Sequence, residues 1–332
     1  MGGIEKAHVN LIDYGKTQVL EPGKSETVSF EIPVEDLASY DWQGIKADGG
    51  AYVLEAGNYE IKVMNNAHDV LDSKNFDVKE DIIYNEANDG KRGSDVTEAI
   101  NHFDNVSNGN SITYVSRADW EGTDVTERPE WKDASEEIID ALENPKFPVN
   151  DSDEPITFVK NGLTVDDMKG LDYDDPQWEK LLEQLSVDDM VQLTGFGGFA
   201  TAEVSSVGKY KTMDTDGPAG INGLVNGASG IQYTSAVTLA STWNQELAQR
   251  LGESMSNEAK EYGVSGLYAP AMNIHRTAFG GRNFEYYSED GVLAGKTAAG
   301  FARGTAKNGI YCYIKHFALD NQETNRENVC VW

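Results

Sequence analysis

Residues 309–317 read G-I-Y-C-Y-I-K-H-F, an apolar run of strand length that stops at Lys315 and His316. Three earlier segments are expected to be strands of the same sheet: K-Y-K-T-M-D at 209–214, A-V-T-L-A at 236–240 and G-L-Y-A-P-A-M at 266–272. Strands that are buried on both faces and alternate with helices are typical of a parallel sheet. The region from residue 163 to 332 is therefore predicted to have an α/β fold.

The helices of this region are predicted from apolar residues at a spacing of three or four. One helix is expected from Asn244 to about Glu261, and another from Gly291 to Lys307. A third is expected to begin at Ser186, because Asp189 three residues later completes a capping-box pattern. The α/β region thus contains at least three helices between its strands.

A glycine-rich motif follows the third of these helices. Gly195, Gly197 and Ala200 fit the dinucleotide-binding pattern G-x-G-x-x-A. The phosphate cradle of that motif requires a strand before it, whereas here a helical segment precedes it. Nucleotide binding is therefore not expected.

The chain before the α/β region divides into two parts. Residues 1–80 show a period of two, with Val28, Phe30 and Ile32 in one run and Tyr59, Ile61 and Val63 in another. This alternation predicts a small antiparallel β-sandwich that lacks its first strands, since a complete one needs about 100 residues. Residues 81–162 are polar and acidic and are predicted to be a linker, whose apolar clusters at 112–115 and 138–142 would dock onto neighbouring domains.

The composition excludes several classes of function. The 332 residues include 27 Lys and Arg and 56 Asp and Glu, which gives a formal net charge of −29. Such a surface repels nucleic-acid phosphates and anionic membranes, so a neutral partner is expected. With two cysteines, no CxxC pair and no run of 18 apolar residues, the sequence predicts no metal, no cofactor, no membrane span and a cytoplasmic location.

Polar side chains follow three of the predicted strands at the points where the strands end. The side chains that could act together are Asp216, Arg282, Lys315, His316 and Arg326. Because the carboxyl ends of parallel strands meet at one edge of the sheet, these groups are expected to converge. A set of cations with few carboxylates suits the hydroxyls of a neutral sugar, since each hydroxyl both donates and accepts.

Each of these features also has a plainer interpretation. Asp216 with its Gly-Pro neighbours could be a turn, and Lys315 with His316 could end a strand in solvent. The aromatic residues of the second loop could stack on a sugar or could serve for packing; they are Phe279, Phe284, Tyr286 and Tyr287. Glu285, Glu289 and Asp290 could be catalytic acids or part of a solvated loop. Recurrence at three strand ends favours a site.

Three motifs resemble those of glycoside hydrolase family 3, the β-glucosidase-like enzymes. They are M-D-T-D-G-P-A-G-I at 213–221, G-R-N-F-E-Y-Y-S-E-D at 281–290 and K-H-F-A-L-D-N-Q-E-T-N-R at 315–326. The stretch L-E-P-G-K-S-E-T-V-S-F-E-I at 20–32 is similar to the fibronectin type III-like domain of that family. The resemblance implies a partial (β/α)8 TIM-type barrel at 163–332, in the less common order with the fibronectin-like domain first.

The resemblance also implies the residues that hold a terminal sugar. Carried over by motif, the substrate-binding residues are Asp216, Asn222, Arg282, Lys315, His316 and Arg326. Asn222 stands where many relatives have an arginine. The chain reads A-L-D-N-Q-E where relatives commonly read A-L-N-D-Q-E, so Asp320 and Asn321 are exchanged and a local rearrangement of hydrogen bonds is expected.

Retaining hydrolysis needs two carboxyl groups about 5 Å apart. The family's nucleophile lies in an S-D-W-like context on a later strand and its acid/base glutamate lies in a sandwich domain, and neither is found in this sequence. A whole barrel takes about 250 residues, whereas the α/β region has roughly 170. The chain is therefore predicted to be an internal piece of a longer enzyme, inactive and poorly soluble alone.

The expected reaction of the longer enzyme is the release of terminal β-linked glucose through a covalent glycosyl-enzyme intermediate. Xylose and N-acetylglucosamine stay open as other sugars. The expected partners are a β-glucoside or oligosaccharide, the remaining domains of the longer chain and a further copy of the chain in a homo-oligomer. A noncatalytic carbohydrate-binding or relic protein that lacks the nucleophile is the alternative.

Overall fold

The computed structural model describes residues 3–88, 90–101, 133–146, 158–276, 278, 280–316, 320, 323 and 326. The chain divides into two compact units. The first contains the described residues from 3 to 101 and the second those from 133 to 326. Each unit is treated by itself below.

The first unit is built from two antiparallel sheets. Its strands are β1 (Ser39–Tyr40), β2 (Tyr52–Leu54), β3 (Gly57–Met64), β4 (Val70–Val78) and β5 (Ile82–Tyr84). One sheet has the order β1-β2-β5, and β3 pairs with β4 in the other. The side chains of Val53 and Leu54 are fully buried, so β2 is the central strand of this small core.

The alternation at residues 59–63 is confirmed as a strand, because Tyr59, Ile61 and Val63 all lie in β3. The alternation at residues 28–32 does not form a strand, and the side chains of Val28 and Phe30 are exposed. These two side chains lie against Gly15. A period of two gives a strand only where a neighbouring strand pairs with it, and residues 28–32 have no such partner among the described residues.

The predicted linker contains ordered structure at both of its ends. Strand β5 pairs with β2, and the guanidinium of Arg92 lies 3.3 Å from the ring centroid of Tyr52. Helix α1 (Glu136–Glu143) begins at the cap residue Ser135 and buries none of its side chains. The apolar cluster at 138–142 is therefore part of an exposed helix, while the cluster at 112–115 lies outside the described residues.

The second unit alternates helices and strands. Its helices are α2 (Gln177–Leu182), α3 (Val187–Gly195), α4 (Ala236–Ala240), α5 (Gln245–Glu261) and α6 (Gly291–Ala306). Its strands are β6 (Ala200–Thr201), β7 (Thr212–Asp216), β8 (Gly266–Tyr268) and β9 (Tyr311–Cys312). The sheet has the order β6-β7-β8-β9, and β7, β8 and β9 are parallel. The predicted parallel α/β architecture is confirmed.

One predicted strand is a helix. The segment A-V-T-L-A at 236–240 forms α4, with Ala236, Leu239 and Ala240 buried on one side. These residues have the spacing of a helix face, and alanine is the best helix former. A short run of four apolar residues and one threonine does not by itself distinguish a buried strand from a buried helix, and the prediction of a strand was wrong.

The three predicted helices, α3, α5 and α6, are confirmed. The Ser186 hydroxyl accepts from the amide of Asp189 at 3.1 Å and the Asp189 carboxylate accepts from the amide of Ser186 at 3.0 Å, which completes the capping box of α3. Helices α5 and α6 pack closely, since a Cβ atom at Gly252 or at Gly304 would overlap with the backbone of the facing helix. Between them and the sheet lies a core that includes Met255, Leu267, Phe301 and Ile310.

The sheet of the second unit is open over the described residues. Helices α4 and α5 connect β7 to β8, and α6 connects β8 to β9. This succession is that of the first part of a (β/α)8 barrel. Within the described part of the chain, none of the helices combines the length and the apolar character needed to cross a bilayer.

Candidate functional site

A cavity of about 280 Å³ lies at the carboxyl edge of the parallel strands. Its polar and aromatic lining consists of Asp216, Asn222, Gln232, Arg282, Phe284, Glu285 and Lys315. These residues come from the loops after β7 and β8 and from the end of β9. The volume is close to the lower end of the range of small-molecule pockets, about 300–1,000 Å³.

An ion pair joins the first strand of the site to the third. The Nζ atom of Lys315 donates to Oδ1 of Asp216 at 2.6 Å. The side chain of Lys315 is only 12% exposed, so the pair is shielded from water. Lys315 also forms a parallel bridge with Ala271, which follows β8, and a cis peptide bond joins it to His316.

Glu285 connects this pair to Arg282. Its carboxylate is 3.8 Å from Nζ of Lys315 and accepts a hydrogen bond from Nε of Arg282. The side chain of Glu285 is only 5% exposed. Glu285 is therefore neither part of a solvated loop nor a free acid, but a buried partner of two cations.

Arg282 is the centre of a second group of charges. Its Nη1 atom lies 3.4 Å from Oδ2 of Asp320 and 3.7 Å from Oε1 of Glu323. Burial lowers the pKa of Arg282, but the hydrogen bond to Glu285 and the neighbouring carboxylates outweigh burial and raise it. Arg326 reaches the same group from the surface, since its Nη1 atom lies 3.3 Å from Oε2 of Glu323.

His316 is held on two sides. Its backbone amide donates to Oδ1 of Asn273 at 2.6 Å. Its ring atom Nδ1 lies 2.7 Å from the hydroxyl of Tyr286, and that hydroxyl donates to Oδ2 of Asp320 at 2.6 Å. Burial, together with the charges of Arg282 and Lys315, lowers the pKa of His316.

The buried carboxylate of Asp214 connects β7 to the chain segment at β9, next to the site. Asp214 is two residues before Asp216 in β7 and accepts from the hydroxyls of Tyr311 at 2.6 Å and Tyr313 at 3.0 Å. Gly266 of β8 lies between them in the sheet register. A Cβ atom at Gly266 would come within 2.7 Å of Oδ1 of Asp214 and would overlap with the ring of Tyr311. Only glycine leaves room for these hydrogen bonds.

The loop after β7 carries two amide side chains of the cavity and is fixed to helix α5. Oε2 of Glu258 accepts from the amide of Ile231 at 2.8 Å, and Oε1 accepts from the hydroxyl of Tyr233. At the start of the loop, Gly217 has a φ of 135°, and a Cβ atom there would overlap with the carbonyl oxygen of Gly220. Asn222 and Gln232 are thus presented by a compact loop.

Four of the six predicted site residues line the cavity. They are Asp216, Asn222, Arg282 and Lys315. His316 lies beside the cavity, where Tyr286 and Asp320 hold it, and Arg326 lies at the surface against Glu323. The structure thus brings the predicted set into one neighbourhood, while the binding role of each residue stays a prediction.

Sequence reasoning missed Gln232, Asn273 and the contact between Tyr286 and Asp320. The side chain of Gln232 follows a glycine-rich turn without any motif of its own, so no sequence signal marks it. The aromatic residues divide as both interpretations allowed: Tyr286 and Tyr287 are buried, whereas Phe284 is 60% exposed and lines the cavity. Phe279 lies outside the described residues.

The described residues contain no group of three side chains suited to bind a metal ion. The expectation that the protein uses neither a metal nor a cofactor stays a prediction. The site offers a ligand fixed charges and amides for hydrogen bonding and one aromatic face for stacking.

Three parallel strands with charged side chains at their carboxyl edge fit the first part of a (β/α)8 barrel, and the comparison with family models agrees. Residues 212–329 match the glycosyl hydrolase family 3 N terminal domain, and residues 2–67 match the fibronectin type III-like domain. Over residues 212–329 the chain is thus similar to the N-terminal domain of glycosyl hydrolase family 3. The fibronectin type III-like domain precedes the barrel, as the sequence motifs predict.

Similar proteins match along nearly the whole chain. Beta-glucosidase A of Butyrivibrio fibrisolvens is 31% identical over 98% of this chain and 40% of its own length. A beta-glucosidase of Ruminococcus albus is 28% identical over 97% of this chain and 32% of its own length. A solved beta-glucosidase structure from Paenibacillus barengoltzii aligns with a TM-score of 0.56 and 25% identity over 88% of this chain and 31% of that one. The chain thus spans between about a third and two fifths of these relatives.

Proposed function

We propose that this chain carries the sugar subsite of a longer retaining glycoside hydrolase that removes terminal nonreducing β-D-glucosyl residues. The observation that carries the proposal is the cavity in which Asp216, Arg282 and Lys315 converge from three strand ends. The beta-glucosidase names of the relatives support glucose as the sugar.

Each side chain of the cavity makes a different kind of contact with a pyranose. The carboxylate of Asp216 accepts from sugar hydroxyls, while Lys315 and Arg282 donate to them. The amide of Asn222 both donates and accepts, and its neutral side chain replaces a charged contact. The exposed ring of Phe284 offers a stacking face for a sugar ring. His316 and Arg326 complete the set from beside the cavity.

The two carboxyl groups of the retaining reaction come, in this proposal, from other parts of the longer protein. Such a reaction needs a nucleophile and an acid/base about 5 Å apart. Asp216 is paired with Lys315, and Glu285 is buried between Lys315 and Arg282. Both carboxylates are already neutralised by cations, so they suit sugar positioning rather than attack on the anomeric carbon.

Calorimetric titration of the 332-residue chain with glucose tests the binding role. The Asp216→Ala variant is expected to abolish measurable binding, and the control Asp166→Ala removes an exposed carboxylate that pairs with Lys169. Glucose binding that survives in Asp216→Ala, with the protein still folded, would overturn the assignment of the subsite. Turnover of an aryl β-glucoside by the same chain would overturn the proposal that its catalytic carboxylates lie elsewhere.

A noncatalytic carbohydrate-binding or relic protein is the second candidate. It is favoured by the same observation that both carboxylates of the cavity are held in ion pairs. The two candidates differ in the longer protein. An aryl β-glucoside is hydrolysed by the longer protein in the first case and bound without hydrolysis in the second.

We further propose a division into a fibronectin-like domain to about residue 80, a linker to about residue 162 and a half-barrel after it. A reducing, cytoplasmic location is proposed because two cysteines in 332 residues suit a thiol-rich compartment. A homo-oligomer is proposed as a further partner. Limited proteolysis, cell fractionation and sedimentation test these three points separately.

A further inference from the structure

The hydroxyl of Tyr286 lies between two groups that could each take its proton. Nδ1 of His316 is 2.7 Å from the phenolic oxygen and Oδ2 of Asp320 is 2.6 Å from it. A phenol carries a single proton, so it donates to one of these groups and accepts from the other. The direction of the hydrogen bonds among these three residues therefore depends on which group carries each hydrogen.

Asp320 decides the direction. An ionised carboxylate accepts hydrogen bonds and donates none. Burial raises the pKa of Asp320, but the hydrogen bonds with Tyr286 and Glu323 and the charge of Arg282 outweigh burial and lower it, so the group is ionised at neutral pH. Burial and the nearby Asp320 raise the pKa of Tyr286, which therefore keeps its proton. The phenol accordingly donates to Asp320.

The imidazole must then donate to the phenol. With the proton of Tyr286 directed to Asp320, the phenolic oxygen has only lone pairs to offer, and Nδ1 of His316 has to carry a hydrogen. The ring lies near two cations, Arg282 and Lys315, and is partly buried, with 32% of its side chain exposed. A neutral ring with its hydrogen on Nδ1 leaves Nε2 bare, so Nε2 is an acceptor.

We propose that Asp320 is a positioning residue that, through Tyr286, holds His316 in the Nδ1–H tautomer and makes Nε2 an acceptor for a sugar hydroxyl. The second half of this proposal rests on the proposed sugar subsite, whereas the first half concerns the protein alone. Among the described residues no hydrogen bond reaches Nε2, and the ring is open to solvent on part of its surface. A hydroxyl that donates to Nε2 can still accept from the ammonium or guanidinium groups nearby.

An acceptor at Nε2 restricts which sugars can bind. Arg282 and Lys315 accept nothing, so they hold any lone pair, whether it belongs to a hydroxyl, an ether or a fluorine atom. An acceptor at Nε2 instead requires a hydrogen on the sugar. The site would therefore distinguish a free hydroxyl from a substituted one at this position, which suits a terminal sugar.

Nitrogen-15 NMR on the chain with labelled histidines tests the tautomer directly, with His316→Gln used to assign the signals. The expected result is a protonated Nδ1 and an unprotonated Nε2 in the wild type. In Asp320→Asn the side-chain amide can donate to the phenolic oxygen, so the phenol turns its proton to Nδ1 and the hydrogen of the ring moves to Nε2. Tyr286→Phe removes the bridge and is expected to release the tautomer in the same way.

Glu323→Gln is the matched control. It neutralises the carboxylate that contacts both Arg282 and Asp320, while the Asp320 carboxylate stays in place as the acceptor of the Tyr286 proton, so the tautomer is expected to stay Nδ1–H. A wild-type ring with its hydrogen on Nε2, or an Asp320→Asn ring that is unchanged, would overturn the proposal. If Asp320→Asn does not fold, the Tyr286→Phe spectrum decides the same question.

Deoxy and deoxyfluoro glucose analogues test the second half. The relevant hydroxyl is the one whose deoxy analogue loses affinity in the wild type but not in His316→Ala. At that position the fluoro analogue is expected to lose about as much as the deoxy analogue, roughly five- to tenfold, and to regain affinity in Asp320→Asn. If the fluoro analogue does not regain affinity in Asp320→Asn, the acceptor role of Nε2 is refuted. A complete lack of glucose binding would refute the subsite and leave the tautomer result standing.

Discussion

The Nζ atom of Lys315 lies 2.6 Å from Oδ1 of Asp216, although 99 residues separate the two in the chain. The pair joins the ends of β7 and β9, which are not neighbours in the sheet because β8 lies between them. The contact with Asp216 explains why a lysine follows β9. It supplies a fixed cation at the edge where the sugar is proposed to bind.

Lys315→Met is expected to weaken both stability and sugar binding. The substitution keeps the apolar stem but leaves Asp216 and Glu285 without a shared cation, at a cost of about 1–3 kcal/mol in the free energy of unfolding. Glucose affinity is expected to fall at least about tenfold. Urea unfolding and calorimetry measure the two effects. Lys169→Met, which removes an exposed pair, should change neither, and equal effects of both substitutions would contradict the role of Lys315.

Gly266→Ala is expected to destabilise the second unit by about 1–3 kcal/mol, because the added methyl group overlaps with Tyr311 and Asp214. Gly195→Ala is the matched control, since a Cβ atom there meets nothing within 4 Å. Urea unfolding monitored by circular dichroism compares the two variants. A Gly266→Ala protein as stable as Gly195→Ala would show that the hydrogen bonds of Asp214 tolerate the methyl group.

Glu258→Ala is expected to loosen the loop at 217–233, because the amide of Ile231 and the hydroxyl of Tyr233 lose their acceptor. Hydrogen–deuterium exchange in this loop should then be faster in the variant than in the wild type, while exchange in helix α6 should stay the same. Glucose affinity should fall while the fold is kept, since Asn222 and Gln232 are carried by the loop. Glu261→Ala, at the exposed end of the same helix, should leave exchange unchanged.

The stability of the chain is expected to fall in mildly acidic solution because of His316. Its pKa is lowered in the fold by burial and by Arg282 and Lys315, so the fold favours the neutral ring. This contribution is fully present above the ordinary histidine pKa of 6.5 and is lost as the pH falls from there toward the lower pKa of the folded protein. The unfolding free energy of His316→Gln should fall less between about pH 7 and 5.

The control for this measurement is His68→Gln, which changes an exposed ring in the first unit. Its pH dependence between the same limits should match that of the wild type. Parallel curves for the wild type and His316→Gln would show that the charges around His316 do not resist its protonation.

The sequence predicted the parallel sheet because β7, β8 and β9 are marked by apolar runs that end in polar residues. It did not predict α4, since four apolar residues and one threonine fit a buried strand as well as a buried helix, and the contacts with α5 and α6 decide between the two. It also predicted a strand at 28–32, where the alternation is present but no neighbouring strand pairs with it. Local pattern therefore gave the architecture, and tertiary contacts decided the exceptions.

Part of the site could likewise be predicted from the sequence, and part could not. The rule that polar groups gather at strand ends led to Asp216, Lys315 and His316 without any contact being known. Glu285 remained undecided, because whether a carboxylate is solvated or paired depends on which cation lies opposite it in space. The bridge from Asp320 to His316 depends on the position of Tyr286 in a different loop, and no spacing along the chain carries that information.

The hydrogen bonds of Asp214 have a consequence for the register of the sheet. They reach from the first parallel strand to the third across Gly266 of the second, a separation of about 9–10 Å in a flat sheet. The tyrosine side chains are long enough to cross that gap, and the ring of Tyr311 lies over the bare backbone of Gly266. A slip of either outer strand would break these hydrogen bonds, so two phenols and a missing methyl group hold the three strands in register.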